Sequence, residues 1–445
     1  MSKNVLRAAI QKVATGPEFS KNISEEDSYN SMLSILDNSV DSVQAAIYLI
    51  AMRMKRETMD ENIGSLKALI DKSNIITADV NELIDIAEPY NGFLRNTPIS
   101  AYLPAVFSAI GLPSVSHGVE TVGPKFGLTT KKILQVAGIN VDKNLQEASE
   151  AISNKDLGWS YIDQEKFCKP LYDLINLRTR MVKRTVLTTI EVLVGPIRAK
   201  NKTHILTGYV HAAYPPVYSD LSKVSGFESA ILVKGVEGGV SPSLRGDAKI
   251  FFYNDSGEMK EIKFNARDIS IDHKMRGVPL PDLKKQEGKK LDEISSDIDI
   301  DDFASKVVEI GNDALKGKDG PARDSLIYTS ALTLSIIKKI DFKDAAIKIK
   351  DVIKSGKVKD FFYNAKWFII HTNLIFSLRD KMNETYRNAV VKMEEQGIQD
   401  EYILGWQGGF LGHPPREETR TTEAYDAGYA DGQEKNLANI GNWKK

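Results

Sequence analysis

The feature that most constrains the fold is a change of hydrophobic pattern near Ala78. Beyond this residue, short apolar runs that end in Gly or Pro alternate with stretches of helical periodicity; the runs are LIDIAEPYNG, PSVSHG, HILTGYV, SAILVKG and KIFFYN. Such alternation predicts an α/β fold with a mainly parallel central sheet and helices on its faces. In sheets of this kind, ligands bind at the loops that leave the carboxyl ends of the strands. Here we expect those loops after Ala87, Val115, Val210 and Val233.

The segment before Ala78 has a helical pattern instead. Apolar residues recur at three- and four-residue spacing over residues 5–15, 25–37, 42–53 and 60–73. Asp41 and Asp60 stand before two of these runs and are predicted as helix N-caps. Because the intervening loops are short, the four helices are expected to form a small antiparallel bundle.

The last third of the chain is again mainly helical. Residues 284–302 are rich in Lys, Asp and Glu, which is typical of a solvated connector. Helices are expected over 324–339, 343–355 and 365–395, the last with a glycine stop at Gly397. We therefore predict an N-terminal helical domain (1–77), an α/β domain (78–364) and a helical C-terminal extension (365–445). Part of 160–190 is expected to pack with the helical domain.

Composition limits the partners and the compartment. The formal net charge is -1, so any surface that binds a polyanion must be local. The single cysteine, Cys168, excludes an intramolecular disulfide and a cysteine-built metal site, and is expected to be buried filler. The sequence shows no signal-peptide pattern and no apolar stretch long enough to span a bilayer. We expect a cytoplasmic protein without a membrane partner.

Four segments resemble a known family in their order along the chain. They are SVDSVQAAIYLIAMRMKRETMDENIGSLKALI, SHGVETVGPKFGLTTKKILQVAG, RTRMVKRTVLTTIEVLVGPIRA and GKDGPARDSLIYTSALTL. Together they are similar to the anthranilate phosphoribosyltransferases of glycosyltransferase family 3 over about residues 3–364. The resemblance implies a helical bundle joined to a larger α/β domain. It also implies displacement of pyrophosphate from phosphoribosyl diphosphate by an aromatic amine, with magnesium bound.

The elements that bind diphosphate and magnesium in that family are replaced here. They fall on residues 88–92, which read EPYNG, on 98–101, on Ser116 and Val119 around His117, and on Val240 and Ser241. Glu88 adds negative charge, Pro89 lacks an amide hydrogen and Tyr90 is bulky. Without the Asp-Glu pair we expect no magnesium site, no other metal and no cofactor. The sequence therefore predicts a protein that has lost the family's chemistry.

The replacements themselves resemble a paralogous group of the same family. A Tyr-Asn-Gly turn followed by Arg (Tyr90, Asn91, Gly92 and Arg95) and the segments GYVHAAYPPVY and LVKGVEGGVSPSLRG carry this likeness. Members of that group are non-catalytic dimers that bind nucleic acid without marked sequence preference. The resemblance implies nucleic-acid binding and a homodimer formed through the N-terminal helices. The alternative is a transferase with an altered substrate in the inter-domain cleft, with Arg178 and His117 as its anchors.

Basic residues suggest where such a partner would bind. The candidate ligand or nucleic-acid residues are Tyr90, Asn91, Gly92, Arg95, His117, Lys125, Arg178, Arg180, Lys183, Arg184 and His211. A helix over LRTRMVKRT would place Arg180 and Arg184 on one face. Two further basic sets would extend this surface, namely Arg198, Lys200 and Lys202, and Lys125, Lys131 and Lys132. The aromatic residues that could stack on bases are Tyr90, Phe93 and Tyr214.

Each candidate also has a structural interpretation. Arg178 could be retained for a small anion, and Arg184 could anchor its helix to the sheet. His117 and His211 could make hydrogen bonds that hold the fold.

The tail segments ILGWQGGFLG and TEAYDAGYADGQEKN resemble small ribosome-modulation proteins, which implies an interaction module for another protein or the ribosome.

Overall fold

The computed structural model describes residues 2–16, 18–288, 296–416 and 421–445, with the side chains of residues 2, 3 and 367–385 left aside. The chain forms two compact units, Met1–Lys366 and Trp367–Lys445. Part of the predicted connector, residues 289–295, lies outside the described residues. The boundary predicted at residue 77 and the assignment of 160–190 stay predictions. No described helix is both long enough and apolar enough to cross a membrane.

Four helices open the first unit, as predicted: α1 (Ser2–Val13), α2 (Glu25–Leu36), α3 (Ser42–Lys55) and α4 (Met59–Asp71). Asp41 caps α3 by accepting a hydrogen bond from the Val43 amide. The prediction for Asp60 was wrong, because Thr58 caps α4 and forms a reciprocal capping box with Glu61. The buried Glu61 carboxylate also accepts bonds from Lys55 and from the Ile23 amide, which joins α3, α4 and the loop before α2 at one point.

The predicted mainly parallel sheet is present. Seven strands lie in the order β4-β3-β2-β6-β7-β8-β9. Their bounds are β2 (Glu82–Ala87), β3 (Ser114–Gly118), β4 (Trp159–Asp163), β6 (Lys202–Gly208), β7 (Ser229–Val233), β8 (Asp247–Tyr253) and β9 (Lys260–Asn265). The first five are parallel and the last two antiparallel. Two further short strands, β1 (Ile76–Thr77) and β5 (Ile197–Arg198), pair in parallel separately.

Two predicted strand ends were wrong. β3 continues past Val115 to Gly118, and β6 ends at Gly208 before Val210. Strands β3 and β4 are buried along their whole length, so no alternation marks where they begin or end. For the same reason the WSYID strand was not predicted. The carboxyl ends of these two strands therefore lie at Gly118 and Gly208.

Helices cover the sheet and complete the first unit. They are α5 (Leu103–Ala109), α6 (Thr130–Val136), α7 (Leu145–Ser153), α8 (Gln164–Phe167), α9 (Lys169–Tyr172), α10 (Ile175–Met181), α11 (Val186–Ile190), α12 (Tyr214–Val224), α13 (Ile300–Leu315), α14 (Pro321–Lys338) and α15 (Phe342–Lys354). Helix α16 follows (Lys357–Glu395). Helix α10 contacts α3, and α11 contacts both α3 and α4. One apolar core runs from the bundle helices into the sheet.

The second unit has a core of its own. Helices α17 (Asp400–Leu411) and α18 (Glu423–Gln433) pack around the buried Trp406 and Tyr402. Glycines allow their backbones to meet: a Cβ on Gly405 would lie 2.1 Å from the Tyr425 carbonyl oxygen, and one on Gly428 the same distance from that of Tyr402. Small residues are therefore required at this crossing.

Candidate functional site

The carboxyl ends of β2, β3 and β6 meet at one edge of the sheet. Ala87 is in register with His117 on one side and with Thr207 on the other. The Thr207 hydroxyl donates a 2.8 Å hydrogen bond to the Ala87 carbonyl oxygen. The loop after Ala87, residues 88–96, lies here against the loop after β7, residues 234–241, because Phe93 and Glu88 both approach Gly239. This edge is where the chemistry was expected.

A carboxylate of the chain fills the first part of this edge. Glu88 is buried, and its side chain accepts hydrogen bonds from Ser100 Oγ at 2.6 Å and from the Val240 amide at 3.1 Å. Burial raises the pKa of the Glu88 carboxyl, and the bond from Ser100 opposes that shift. Polar donors on two separate loops are thus satisfied from within the protein.

A second carboxylate fills the adjoining loop. Glu237 accepts hydrogen bonds from the Leu94 and Arg95 amides, the latter at 2.7 Å, and lies 2.6 Å from Lys125 Nζ. Lys125 also donates to the Gly92 carbonyl oxygen at 2.6 Å. Burial lowers the pKa of Lys125, and Glu237 opposes that shift. Lys125 is therefore an internal partner and cannot serve as the free phosphate contact that was predicted.

Tyr90 and His117 form a buried pair. Tyr90 is 2% exposed, and its hydroxyl is hydrogen-bonded to His117 Nδ1. His117 Nε2 lies 2.9 Å from Asp85 on β2. The prediction that Tyr90 offers a face for stacking was wrong, because its ring is covered. Phe93 is equally covered.

Two neighbours of Tyr90 shape this turn. Gly92 has a φ of 72°, and a Cβ there would lie 2.4 Å from the Gly127 carbonyl oxygen. The turn thus requires glycine because of both its backbone conformation and the lack of space. Asn91 accepts a backbone hydrogen bond from Gly127 and lines the cavity described below.

A third carboxylate holds Arg178. The guanidinium donates two hydrogen bonds to Glu191, at 2.7 and 2.8 Å, and the residue is 4% exposed. This is the fork geometry in which arginine binds any carboxylate. The interpretation of Arg178 as a free anchor for a small anion was wrong, because Glu191 of the same chain occupies the bidentate face of its guanidinium.

The predicted basic helix is interrupted. Helix α10 ends at Met181, and Val182 adopts a left-handed conformation with φ 57°. Arg180 and Arg184 therefore do not share a helix face: Arg180 lines an apolar groove beside α1 and α3, and Arg184 lines a different cavity. Lys183 lies exposed in the turn between them. A β-branched residue with positive φ is rare, so no local pattern predicted this break.

The other predicted basic positions are also engaged within the protein. Arg198 is largely buried, donates to the carbonyl oxygens of Val194 and Ser225, and stacks 4.0 Å from the Phe227 ring. The lysines form ion pairs, which are Lys200–Asp79, Lys202–Asp255, Lys131–Asp163 and Lys132–Asp301. The predicted extension of a basic surface through these residues was wrong.

Free positive charge lies instead in a cleft between the bundle and the sheet. A cavity of about 220 Å³ is lined by Arg53, Arg184, Thr188, Thr189, His211 and Tyr214, among others. Arg53 Nη1 donates to the Arg184 carbonyl oxygen. Burial lowers the pKa of Arg184 and the neighbouring Arg53 lowers it further, whereas Glu237, which also lines the cavity, opposes this shift. In the part of the chain that the structure describes, no ion pair joins an acidic residue to these cleft arginines (Arg53, Arg95 and Arg184).

Sequence reasoning missed Arg53. It lies in the last turn of α3, in the segment MRMKRET that was used only to recognise the family resemblance. The three-dimensional fold brings it to Arg184, which is 131 residues away. Of the predicted residues, Asn91, Arg184 and His211 meet at this cavity. Among the described residues, no group of three or more His, Cys, Asp and Glu could hold a metal ion.

Comparison with known proteins identifies the scaffold. Residues 7–73 match the helical bundle domain of the glycosyl transferase family. The anthranilate phosphoribosyltransferase of Petrotoga mobilis is 24% identical over 78% of this chain and 92% of its own length. The structure of the Thermus thermophilus anthranilate phosphoribosyltransferase superposes with a TM-score of 0.62 at 16% identity, over 82% of this chain and 98% of the other. The structure of the Saccharomyces cerevisiae enzyme in complex with PRPP and Mg superposes with a TM-score of 0.62 at 16% identity, over 81% of this chain and 97% of the other.

The chain is therefore similar to the anthranilate phosphoribosyltransferases, and its N-terminal bundle matches the helical bundle domain of the glycosyl transferase family. The predicted resemblance and the predicted fold are confirmed, including the N-terminal helical bundle and the mostly parallel sheet. By the segment resemblance, Glu88 stands at the family's glycine loop, Ser100 at its second phosphate element and Val240 at its Asp-Glu pair. Arg178 stands where the family's enzymes contact the aromatic acid. In this chain the contacts at these positions are internal, because Glu88 accepts hydrogen bonds from Ser100 and Val240, and Glu191 accepts two from Arg178.

Proposed function

We propose that this chain is a non-catalytic member of the family that binds the phosphate backbone of nucleic acid at the cleft arginines. The observation that carries the proposal is the pair of guanidinium cations on the cleft wall, Arg53 and Arg184, which form no ion pair with a described acidic residue although Glu237 lines the same cavity. We expect the protein to act in the cytoplasm, where such a partner is available.

Loss of phosphoribosyl transfer is supported by the charges at the sheet edge. Departure of pyrophosphate requires cations and free amides that balance the growing negative charge. Here Glu88 and Glu237 already occupy hydroxyl and amide donors at that edge. A diphosphate at this edge would therefore find these donors already occupied by side chains of the protein.

Phosphate binding is supported by the charge balance of the cleft. Arg53 and Arg184 line the cavity together with Glu237, whose carboxylate is paired with Lys125, and the nearby Arg95 contributes to lowering the pKa of Arg184. Glu57 also lies close to Arg53, which opposes the rise in the pKa of that carboxyl caused by burial. Like-charged guanidiniums held together repel one another, so an external anion would relieve this repulsion. Arginine is suited to phosphate because its planar fork matches two phosphate oxygens.

The decisive experiment measures binding of labelled single- and double-stranded oligonucleotides by fluorescence anisotropy across a salt series. For single strands the logarithm of affinity falls with the logarithm of salt concentration with a slope of roughly 0.7 per phosphate contact. The double variant Arg53→Gln/Arg184→Gln should therefore bind more weakly, with a slope reduced by about 1.4. The matched control is Lys200→Gln/Lys202→Gln, which removes two exposed lysines that already have acidic partners.

Unchanged affinity and slope in the arginine double variant would overturn the proposal. Loss of binding in both double variants would show a general charge effect and would equally remove the cleft as the site. Binding lost only in the arginine variant is the expected result.

The alternative function is a transferase with an altered substrate in the same cleft. Its two predicted anchors are engaged, Arg178 by Glu191 and His117 by Tyr90 and Asp85. What favours it is the cavity of about 220 Å³ with Thr188 and Thr189 on its wall. Release of pyrophosphate from phosphoribosyl diphosphate by the purified chain would support this function over the one proposed.

We also propose that the chain forms a homodimer through its bundle. A groove of about 690 Å³ beside α1 and α3 is mainly apolar, with Val43 60% exposed and Met54 76% exposed. Apolar residues exposed together on one helix face are typical of an association surface. Ile47→Glu places a charge in the centre of this face and should give a monomer in light scattering coupled to size exclusion. A dimer that persists in that variant would contradict the assignment of this face.

For the C-terminal unit we propose a role as an interaction module for another protein or the ribosome. Its support is the separate core around Trp406 and the close glycine-mediated crossing of α17 and α18. Removal of residues 398–445 should abolish cosedimentation with ribosomes and leave oligonucleotide binding unchanged. Equal cosedimentation of both forms would dismiss the module.

A further inference from the structure

Two aromatic rings lie beside the cleft arginines. His211 and Tyr214 come from the connection between β6 and α12, and their ring centroids are 6.2 Å apart with an interplanar angle of 36°. Both line the same cavity as Arg53 and Arg184. The cleft thus combines cations with flat apolar surfaces, which is the combination that binds unpaired nucleotides.

The position of Tyr214 is fixed by its surroundings. Its amide donates to the His211 carbonyl oxygen at 3.0 Å, and two prolines follow it in the first turn of α12. Proline fixes φ and so restricts the backbone at this turn. The buried Tyr218 lies behind Tyr214, with ring centroids 5.8 Å apart. A ring held in this way loses little conformational entropy when a base stacks on it.

Exposure separates Tyr214 from the other aromatic candidates. Tyr214 is 36% exposed, whereas Tyr90 and Phe93 are each 2% exposed and act as core residues. His211 is also exposed. Among the described residues, Tyr214 and His211 are therefore the rings predicted for this edge whose faces are accessible to a ligand.

We infer that the cleft receives an unpaired nucleobase stacked on Tyr214 and His211 while Arg53 and Arg184 bind the adjoining phosphate. This inference rests on the proposed function and names its ligand class, which is single-stranded nucleic acid. A base paired in a duplex has its faces covered by its neighbours, so it cannot enter a concave site of this size. Recognition by stacking also tolerates any base, because every base presents a flat face.

The test uses three probes of equal length: an oligothymidylate, the same backbone with abasic sites throughout, and a blunt duplex. The oligothymidylate is expected to bind most tightly. Stacking contributes about 1–3 kcal/mol per base, so Tyr214→Ala should weaken oligothymidylate binding by roughly 5- to 150-fold. The same substitution should leave the abasic probe unaffected. Tyr214→Phe, which keeps the ring, should restore the preference for bases over abasic sites.

Three results separate this inference from the proposed function. If Tyr214→Ala weakens the base-bearing and abasic probes equally, Tyr214 has a structural role and the inference fails. If it weakens neither probe while Arg53→Gln/Arg184→Gln weakens both, the inference fails and backbone binding stands. If the arginine variant binds every probe normally, the proposed function itself fails.

His211→Ala provides a second variant that does not alter the start of α12. It should reduce the preference for oligothymidylate over the abasic probe in the same direction as Tyr214→Ala. A preference that is unchanged in His211→Ala, together with a folded near-ultraviolet circular dichroism spectrum, would remove His211 from the platform and overturn the paired arrangement.

Discussion

The buried pair between Arg178 and Glu191 provides a direct test of the internally occupied site. Glu191→Ala removes the carboxylate that accepts both guanidinium bonds, at 2.7 and 2.8 Å, and leaves the positive charge of Arg178 buried without compensation. Breaking a buried ion pair from one side costs about 3–5 kcal/mol. A domain is typically stable by about 5–15 kcal/mol in total, so this loss would be a large share of it.

Urea unfolding followed by circular dichroism measures the effect. The control is Asp173→Ala, which breaks the pair with Lys169, where both side chains are more than half exposed. Such exposed pairs contribute about 0–1 kcal/mol. Glu191→Gln should fall between the two, because its amide oxygen can accept one bond from Arg178 but carries no charge. If Glu191→Ala costs no more than Asp173→Ala, the assignment of a stabilising buried carboxylate is refuted.

The same variant allows a chemical rescue. Alanine leaves a space close in size to the lost carboxylate group, which acetate can fill. A ligand at one hundred times its dissociation constant stabilises the folded state by about 2.7 kcal/mol. Acetate should therefore raise the unfolding midpoint of Glu191→Ala and, at matched chloride, leave the unsubstituted chain unchanged. Equal effects of acetate on both would show that Arg178 was not reopened.

Three further outcomes are expected. Hydrogen bonds with His204 and Lys338 lower the pKa of Glu82 to about 2, so the stabilisation from this carboxylate is present above the ordinary carboxyl pKa and is lost as pH falls through the lowered value. Glu82→Gln should thus cost about 1–2 kcal/mol in urea unfolding at neutral pH, discounted for partial exposure, and nothing near pH 2. Burial lowers the pKa of Lys143 to about 8, so the positive charge of Lys143 opposes folding below that pH. Lys143→Met should therefore raise the free energy of unfolding at neutral pH by about 1–2 kcal/mol, and by less at pH 10. Gly428→Ala places a methyl group 2.1 Å from a backbone oxygen and should lower the stability of the C-terminal unit by about 3 kcal/mol or more, which limited proteolysis would detect as earlier cleavage. The control Gly441→Ala meets nothing within 4 Å and should leave the rate of proteolysis unchanged.

The fold was predictable because its elements have strong local signals. The bundle helices carry clear periodicity, and β2, β6, β7 and β8 follow apolar runs that end in turn residues. Strand β4 escaped prediction because burial on both faces removes the alternation that marks a strand. The N-cap of α4 was placed two residues late because Thr58 and Asp60 are both good caps, and the decision depends on the long-range partners of Glu61.

The site was less predictable because it depends on which charges meet in space. Lys125 was predicted to contact phosphate, but in the structure it pairs with Glu237, which lies more than one hundred residues further along the chain. Arg53 was not predicted as a site residue, but in the structure its side chain bonds the Arg184 carbonyl oxygen. A sequence shows the charge of each residue but not its partner, and the partner decides whether a cation is available. The break of α10 at Val182 added an error that no local pattern revealed.

The three internal carboxylates share one physical consequence. A ligand site in an empty enzyme contains donors that face water and are satisfied only when substrate arrives, so such sites are costly to the stability of the free protein. Here Glu88, Glu191 and Glu237 satisfy those donors permanently. Each of these contacts is structural and is complete without a bound ligand. Arg53 and Arg184, in contrast, form no ion pair with a described acidic residue and lie on the wall of the cleft between the bundle and the sheet. Under the proposed function, these two guanidiniums would contact phosphates of a long anion, and the three occupied carboxylates would take no part in binding.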